Sequence, residues 1–277
     1  MKRRDFVLGA AALAASPRAQ AASGGVAVVL GGGGCRGYGH IGVIRVLEAN
    51  GLKPDLVVGS SVGSLVGALY ASGMRAEELE RHGERVNPNL LRDWIFPKLG
   101  LFGGEGIARF VRERVKAPDI ESLPLRFAAV ATDLRSGEAV ILERGDLGRA
   151  VQASSSAPGL LEPVRLAGRM LVDGNLAAPV PVAAARRLGA RKVIAVDVTF
   201  PPLEADLADP FDALYQGFSI LTRRLALEER SRADLVLEPR LQGHHEHMSR
   251  AMIRAMTEAG ERAALEALPK LRALFGF

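Results

Sequence analysis

The chain has 277 residues, of which 36 are Lys or Arg, 31 are Asp or Glu, and 48% are hydrophobic. This length and composition are typical of one large globular domain or two small ones, and they exclude a largely disordered chain. A single cysteine excludes a disulfide framework and a zinc site built from several cysteines. The first 21 residues carry four basic residues and one acidic residue. The charge of the remainder is therefore almost balanced, which argues against nucleic acid as a partner.

The N-terminal segment has the three parts of a secretory signal peptide. Lys2-Arg3-Arg4 is basic, residues 6–15 are apolar, and Ala19-Gln20-Ala21 offers the small residues of a cleavage site. The adjacent arginines resemble a twin-arginine export signal. We expect residues 1–21 to be such a signal peptide and the protein to be exported, either periplasmic or secreted. An uncleaved amphipathic N-terminus is the alternative.

The first elements after this segment alternate between strand and helix. Residues 26–30 form a continuous apolar run that predicts a buried parallel strand. A glycine cluster and a helix that stops at Asn50-Gly51 follow. Residues 56–58 predict a second buried strand, and residues 59–63 lead into a helix that ends near Gly73. This order predicts a parallel sheet with right-handed crossovers.

The later elements extend the same pattern. We predict polar helix, interrupted near Asn87-Pro88 and Gly103-Gly104, over residues 75–115. The further predicted elements are a strand at 127–132 with its neighbour at 140–143, a hairpin of 164–166 with 170–172, a strand at 193–198, and helices at 211–232 and 250–275. We therefore expect one α/β domain over residues 22–277, with a mainly parallel central sheet sandwiched by helices.

A G-x-S-x-G motif lies between the second predicted strand and its helix. Its residues are Gly59-Ser60-Ser61-Val62-Gly63. Small residues at Gly59 and Gly63 permit a sharp turn that presents the middle serine at a helix N-terminus. Ser61 is therefore a candidate nucleophile on a strand–turn–helix elbow.

The glycine run after the first strand is a candidate oxyanion hole. Gly31-Gly32-Gly33-Gly34 and the following Arg36-Gly37 leave backbone N–H groups unshielded, and such a nest binds an anion or a developing oxyanion. The spacing of Gly32, Gly34 and Gly37 also matches a dinucleotide fingerprint, but Asp55 precedes the second strand and does not end it. A phosphate-binding P-loop needs Gly-Lys-Ser/Thr, which is absent here.

A serine nucleophile needs a group that accepts its proton. None of the five histidines lies at the end of a predicted strand beyond the nucleophile; these are His40, His82, His244, His245 and His247. A carboxylate held against the hydroxyl can serve instead. Asp173 ends the hairpin strand in Leu171-Val172-Asp173-Gly174-Asn175. On its own this segment is better explained as a turn.

Together, these motifs resemble the patatin-like phospholipases. The resemblance spans about residue 25 to about residue 200 and includes the glycine run, His40-Ile41-Gly42-Val43, residues 59–63 and Asp173-Gly174. It implies an α/β sheet with helices on both sides and a Ser-Asp dyad without histidine, metal or cofactor. Asn175 departs from the Asp-Gly-Gly that the family often has, and asparagine tolerates the positive φ such a turn needs.

The resemblance also implies a role for each motif. It makes Ser61 the nucleophile and Asp173 the base, and it puts the oxyanion hole on the backbone of three glycines and their neighbours: Gly32, Gly33, Gly34, Arg36 and Gly37. We therefore expect a serine acyl hydrolase that acts on acyl esters of lipids. A carboxylesterase or thioesterase of the same fold is one alternative, and a non-catalytic acyl-lipid-binding protein is another.

Five further features each have a functional and a structural interpretation. The segment from Trp94 to Phe102 is a candidate lid, or an apolar cluster under a long loop. The 250–275 helix either packs on the core or rests peripherally on a membrane. His244-His245-x-His247 resembles a metal-binding cluster, but a solvated loop is favoured. Asp133 and Cys35 are read as a turn former and a small buried filler.

Overall fold

The computed structural model describes residues 25–84, 99–116, 118–201, 209–240 and 249–277. The predicted signal peptide, Trp94-Ile95-Phe96 and the histidine cluster at 244–247 lie outside these residues. Statements about them therefore remain predictions.

The strands of the described residues are short and mostly buried. They are β1 (Val26–Leu30), β2 (Leu56–Ser60), β3 (Gly100–Phe102), β4 (Arg126–Asp133), β5 (Ala139–Leu142), β6 (Gly159–Leu161), β7 (Val164–Leu166), β8 (Arg169–Val172), β9 (Lys192–Val196) and β10 (Leu235–Leu237). The helices are α1 (Tyr38–Ala49), α2 (Val62–Ala71), α3 (Ala76–Glu84), α4 (Glu105–Arg112), α5 (Leu147–Ser154), α6 (Val182–Arg187), α7 (Pro210–Arg230), α8 (Arg250–Glu266) and α9 (Leu268–Phe275).

The main sheet has the order β10-β9-β1-β2-β4-β8-β7, and β5 pairs with β4 beside this path. The five strands from β10 to β4 are parallel to their neighbours. The strands β5, β7 and β8 pair antiparallel. The chain runs from β1 to β2 and β4 on one side and later returns to β9 and β10 on the other. The chain therefore adds strands on one side of β1 first and on the other side later, so the strand order reverses between β1 and β9.

Helices pack on both faces of this sheet. Val28 and Leu30 of β1 belong to the apolar core on one face, together with residues of α1, α2 and α4. Ala27 and Val29 belong to the core on the other face, together with residues of α6. Since both faces of β1 are covered, the strand is apolar at every position and shows no alternation. The predicted fold class is confirmed.

The structure departs from the predicted elements at several places. Residues 75–115 were expected to be helical throughout, apart from interruptions, but they include the strand β3, which pairs with β6 in a separate two-stranded sheet. The helices α5 and α6 and the strands β6 and β10 were not predicted. The 250–275 helix is divided at Ala267, where α8 ends and α9 begins with Pro269 in its first turn.

The C-terminal helices pack on the core. Ile253 and Met256 of α8 and Leu271 of α9 are buried. The core-packing interpretation of this segment therefore accounts for its apolar face better than a membrane surface does. Among the described residues, no helix combines the length and apolar character that a membrane crossing requires.

Candidate active site

Ser61 occupies a strained turn between β2 and α2. Its backbone has φ 51° and ψ −126°, in the positive-φ region that residues other than glycine rarely adopt. A side chain at Gly59 would meet the backbone of Gly63, and a side chain at Gly63 would meet the carbonyl of Leu30. Gly59 is therefore required for the tight turn into α2, and Gly63 for the close approach of this turn to β1. The predicted strand–turn–helix elbow is present.

Hydrogen bonds hold the turn in this strained shape. The Ser61 N–H donates to Ser154 Oγ over 3.0 Å, and Ser154 Oγ donates to the Val130 carbonyl over 2.6 Å. On the other side, Ser64 Oγ donates to the Ser61 carbonyl over 2.7 Å. Ser154 was not among the predicted site residues because its role depends on the packing of α5 against β4.

The carboxylate of Asp173 lies against the Ser61 hydroxyl. Ser61 Oγ donates to Asp173 Oδ2 over 2.8 Å, and both side chains are buried. The backbone N–H of Asn175 donates to the other oxygen, Oδ1, over 2.9 Å. The backbone of Asp173 is fixed as well, because its N–H donates to the Ser156 carbonyl and its carbonyl accepts from Thr132 Oγ1. The carboxylate is therefore held in one orientation.

Burial raises the pKa of Asp173 to about 6. The hydrogen bonds from the Asn175 N–H and the Ser61 hydroxyl act in the opposite direction and offset only part of this effect. A carboxyl group with this pKa is mostly ionised at pH 7 and is a stronger base than an exposed aspartate. These properties are suited to accepting a proton from a hydroxyl.

The glycine segment after β1 faces Ser61 across a cavity. The N–H of Gly32 already donates to the Pro179 carbonyl, and the N–H of Arg36 donates to the Gly33 carbonyl. Within the described residues, the N–H groups of Gly33 and Gly34 have no backbone or side-chain acceptor, and both glycines line the cavity with Ser61. These two amides are therefore available to an oxyanion.

The other two predicted residues of this segment have different surroundings. Gly37 packs against Val62, and a side chain there would overlap it. The guanidinium of Arg36 lies 5.4 Å from the centroid of the Phe200 ring and lines a second cavity instead of the one at Ser61. Its charged group is therefore outside the catalytic cavity.

Of the described histidines, His82 lines the cavity with Ser61, and none is hydrogen-bonded to Ser61 Oγ. His40 is fully buried, and its Nε2 donates to the Gly31 carbonyl over 2.7 Å. Burial lowers the pKa of His40 to about 4, so the ring is neutral at pH 7. Through this hydrogen bond, His40 holds Gly31, the first residue of the glycine segment, in position.

An apolar cavity of about 560 Å³ opens above Ser61 and Asp173. Its volume lies in the range of small-molecule sites. The apolar wall is formed by side chains of α1 to α4, including Ile41, Leu65, Leu69, Leu79, Ile107 and Phe110. Tyr215 and Phe218 of α7 line it from the other side. Cys35, expected to be a buried filler, is half-buried in this wall.

Two remaining predictions concern acidic and metal-binding residues. Asp133 Oδ1 accepts from the N–H of Arg135 over 2.9 Å, and its Oδ2 lies 3.5 Å from Arg169, so its interpretation as a turn former is confirmed. Within the part of the chain that the structure describes, no three His, Cys, Asp or Glu side chains are grouped so that they could hold a metal ion.

A serine on a strained strand–turn–helix elbow beside an apolar cavity is the arrangement of a serine hydrolase. The family described as patatin-like phospholipase matches residues 28–186, and the chain belongs to this family. An uncharacterised NTE family protein of Mycobacterium tuberculosis is 38% identical over 176 residues, covering 62% of this chain and 49% of that protein. The human patatin-like phospholipase domain-containing protein 6 is 36% identical over 208 residues, covering 72% of this chain and 15% of that protein.

The chain thus spans about half the length of the mycobacterial relative and a smaller share of the human one. Among solved structures, VipD from Legionella pneumophila superposes with a TM-score of 0.58 and 13% sequence identity. The match covers 91% of this chain and 67% of VipD. It shows that the two proteins share a fold.

Proposed function

We propose that the chain is a serine acyl hydrolase that cleaves acyl esters of lipids, with Ser61 as nucleophile and Asp173 as general base. One observation carries the proposal: the 2.8 Å hydrogen bond from Ser61 Oγ to Asp173 Oδ2 at the wall of an apolar cavity. A serine hydroxyl becomes an effective nucleophile only when an adjacent group takes its proton.

In the acylation step, Ser61 Oγ attacks the ester carbonyl while its proton passes to Asp173 Oδ2. The carbonyl oxygen becomes an oxyanion, which the N–H groups of Gly33 and Gly34 are placed to receive. The positive end of α2, which begins immediately after Ser61, adds to this stabilisation. The protonated Asp173 then gives its proton to the leaving alcohol, and an acyl-serine remains.

Deacylation follows the same path with water as the nucleophile. Asp173 accepts a proton from the water as it attacks the acyl carbonyl, and the tetrahedral oxyanion again lies at the glycine amides. Collapse of this intermediate returns the proton to Ser61 Oγ and releases the fatty acid. A single carboxylate thus acts as base and acid in turn.

The apolar wall of the cavity favours an acyl chain as the bound group. Most of the surface that lines the cavity is apolar, although polar side chains such as Asn175, Thr199 and Ser219 also reach it. A carboxylesterase or thioesterase would use the same residues and differ in the alcohol or thiol that leaves. A non-catalytic acyl-lipid-binding protein is disfavoured, because the hydroxyl and the carboxylate are both present and in contact.

We also propose peripheral contact with a lipid surface, through α7. Leu214 and Leu221 of this helix are 73% and 63% exposed, while Tyr215 and Phe218 line the cavity. Apolar residues on the outer face of a helix beside the cavity could place its entrance at a lipid surface. Replacing both leucines by glutamate should lower co-sedimentation with phosphatidylcholine vesicles, whereas Leu265→Glu, at a 53% exposed position of α8, should not.

Export remains a proposal based on residues 1–21. Expression of the full chain in a bacterium, followed by cell fractionation and N-terminal sequencing, tests it. We expect the mature protein outside the cytoplasm with its N-terminus near Ala22. A cytoplasmic protein that retains residues 1–21 would contradict the proposal.

The hydrolase proposal is tested by release of fatty acid from phosphatidylcholine vesicles and of nitrophenol from acyl esters, in the presence of a chelator. Turnover should be lost in Ser61→Ala and in Asp173→Asn. Asp133→Asn is the matched control, since Asp133 is also a buried acid at a strand end but does not contact Ser61. Full activity in Asp173→Asn would refute the dyad, and a folded parent enzyme that hydrolyses none of these esters would refute the hydrolase proposal.

A further inference from the structure

A second cavity, of about 500 Å³, lies at the carboxyl ends of β1, β9 and β10. Arg36 reaches it from the segment after β1, Asp197 and Thr199 from the segment after β9, and Glu238 from the segment after β10. The order in which the chain adds strands to the sheet reverses between β1 and β9. In open α/β sheets, ligands bind in the crevice at this point of reversal.

The two carboxylates Asp197 and Glu238 of this cavity are paired with guanidinium groups. Arg223 donates to Asp197 Oδ2 over 2.9 Å and to Glu238 Oε1 over 2.6 Å. Arg230, beside the cavity, lies 2.8 Å from Asp197 Oδ2 and 2.7 Å from Glu238 Oε2. Asp197 also accepts from the hydroxyl and the N–H of Thr199. The two carboxylates and two guanidinium groups therefore form a closed quartet.

Arg36 lies beside this quartet but is not part of it. It is only 6% exposed, yet its guanidinium makes no hydrogen bond and no ion pair within the described residues, and its Nε is buried without a partner. Its contact with the Phe200 ring is a cation–π contact at 5.4 Å. With the quartet, three guanidinium groups meet two carboxylates. A buried charge is costly unless it is paired, and among the described residues the guanidinium of Arg36 has no carboxylate of its own.

The rim of the cavity adds further positive charge. Arg240 and Lys270 line it together with Glu266, the last residue of α8, which precedes Lys270 in the sequence across the break at Ala267. Tetrahedral oxyanions suit such a site, because the planar guanidinium can donate two parallel hydrogen bonds to a phosphate. Thr199 lines this cavity and the catalytic one, so the two are neighbours.

We propose that this second cavity binds a phosphate group through Arg36, with Arg240 and Lys270 at its rim. The phosphate is either that of a soluble phosphate ester or that of an anionic lipid headgroup. The two sources present the same chemistry to Arg36 and differ in whether the ligand is free or lies in a bilayer.

The test measures binding to the full chain carrying Ser61→Ala, so that no lipid is consumed. Calorimetric titration with inorganic phosphate and with glycerol 1-phosphate probes the soluble source. Co-sedimentation with phosphatidylglycerol vesicles, against phosphatidylcholine vesicles, probes the headgroup. Because the binding measurement needs no turnover, its result does not depend on the hydrolase proposal. Failure of the phosphate-binding proposal would leave the hydrolase proposal intact, and the reverse also holds.

Arg36→Gln should weaken binding roughly tenfold or more, as expected for the loss of a charge-assisted contact. The double variant Arg240→Gln, Lys270→Gln leaves the buried groups in place and should weaken binding several-fold, which keeps the test valid if Arg36→Gln does not fold. Arg254→Gln is the matched control: the residue is exposed on α8, is not part of the cavity lining, and its loss changes the net charge equally.

Binding to soluble phosphate supports a free ligand, and binding to phosphatidylglycerol vesicles alone supports a headgroup. Absence of binding to every probe, or unchanged affinity in the folded variants, would overturn the proposal.

Discussion

The side-chain amide of Asn175 packs directly against the Cα of Gly32, and a Cβ on that glycine would overlap it. The backbone N–H of the same Asn175 donates to Asp173 Oδ1. One residue therefore connects the turn that holds the proposed base with the glycine segment that holds the proposed oxyanion hole. The relative position of the two groups depends on this contact.

Gly32→Ala should lower kcat/KM by roughly tenfold to a hundredfold, because the Asn175 amide must move and small displacements of a catalytic group are costly. Asn175→Gly removes the amide that the new methyl group meets. The double variant should therefore be more active than Gly32→Ala alone, and a double-mutant cycle on kcat/KM measures the coupling. Equal activity of the double variant and Gly32→Ala would show that this contact does not transmit the effect.

The pH dependence of the reaction should follow the ionisation of Asp173. Its pKa is raised to about 6, and only the carboxylate form accepts the Ser61 proton. We expect kcat/KM to be constant well above pH 6 and to fall about tenfold for each pH unit below it. Initial rates on a soluble ester between pH 4.5 and 9 measure this, with circular dichroism to confirm that the protein stays folded. A profile that is flat through pH 6 would contradict the assignment.

The same buried charge should reduce stability at neutral pH. The pKa of Asp173 is raised from 3.8 to about 6 on folding, so the folded state binds the proton more tightly. Protonation of Asp173 therefore stabilises the folded state relative to the unfolded state. This contribution to the free energy of unfolding grows as pH falls from about 6 to about 4, and it is absent at higher pH. Asp173→Asn should therefore raise the free energy of unfolding at pH 8 by up to about 3 kcal/mol.

Urea unfolding at pH 8 and at pH 5 checks this prediction. The gain should be smaller at pH 5, because the parent protein is then already largely protonated at Asp173. Ser61→Ala serves as a control that leaves the carboxylate in place. A lower stability of Asp173→Asn at pH 8 would show that the charged form is well compensated in the folded protein.

The parallel half of the fold was predictable because its signals are local. The continuous apolar runs of β1 and β2 reflect burial on both faces, and Asn50-Gly51 ends α1 where expected. The strand β3 was not predictable, because its three residues are strand only through pairing with β6, about 60 residues later. The helix α5 is short, and its start depends on a cap in which Asp146 accepts from the Arg149 N–H.

The site was predictable to a different extent. The glycines on either side of Ser61 predict the elbow from the sequence. A side chain at Gly59 would meet Gly63, and a side chain at Gly63 would meet β1. The partnership of Ser61 with Asp173 links residues 112 positions apart and came from a resemblance, not from spacing. The surroundings of Arg36 could not be predicted, because the direction of its side chain depends on the packing of Phe200 and on where β9 ends.

The acyl-chain preference should respond to the width of the catalytic cavity. Leu65 lies on α2, one turn beyond Ser61, and lines the cavity. Leu65→Phe fills space that a long chain needs, so kcat/KM for a nitrophenyl palmitate should fall about tenfold relative to the butyrate. Leu265→Phe, at an exposed position of α8 outside the lining, is the control. Equal losses on both esters would indicate a general disturbance instead of a shorter cavity.

The central claim, that Asp173 activates Ser61, is tested most directly by labelling the protein with a fluorophosphonate and locating the adduct by mass spectrometry. We predict a single adduct on Ser61 in the parent protein, and a labelling rate at least a hundredfold lower in Asp173→Asn, because the hydroxyl then has no base. Asp133→Asn should label like the parent. An adduct on another residue, or equally fast labelling of Asp173→Asn, would contradict the account.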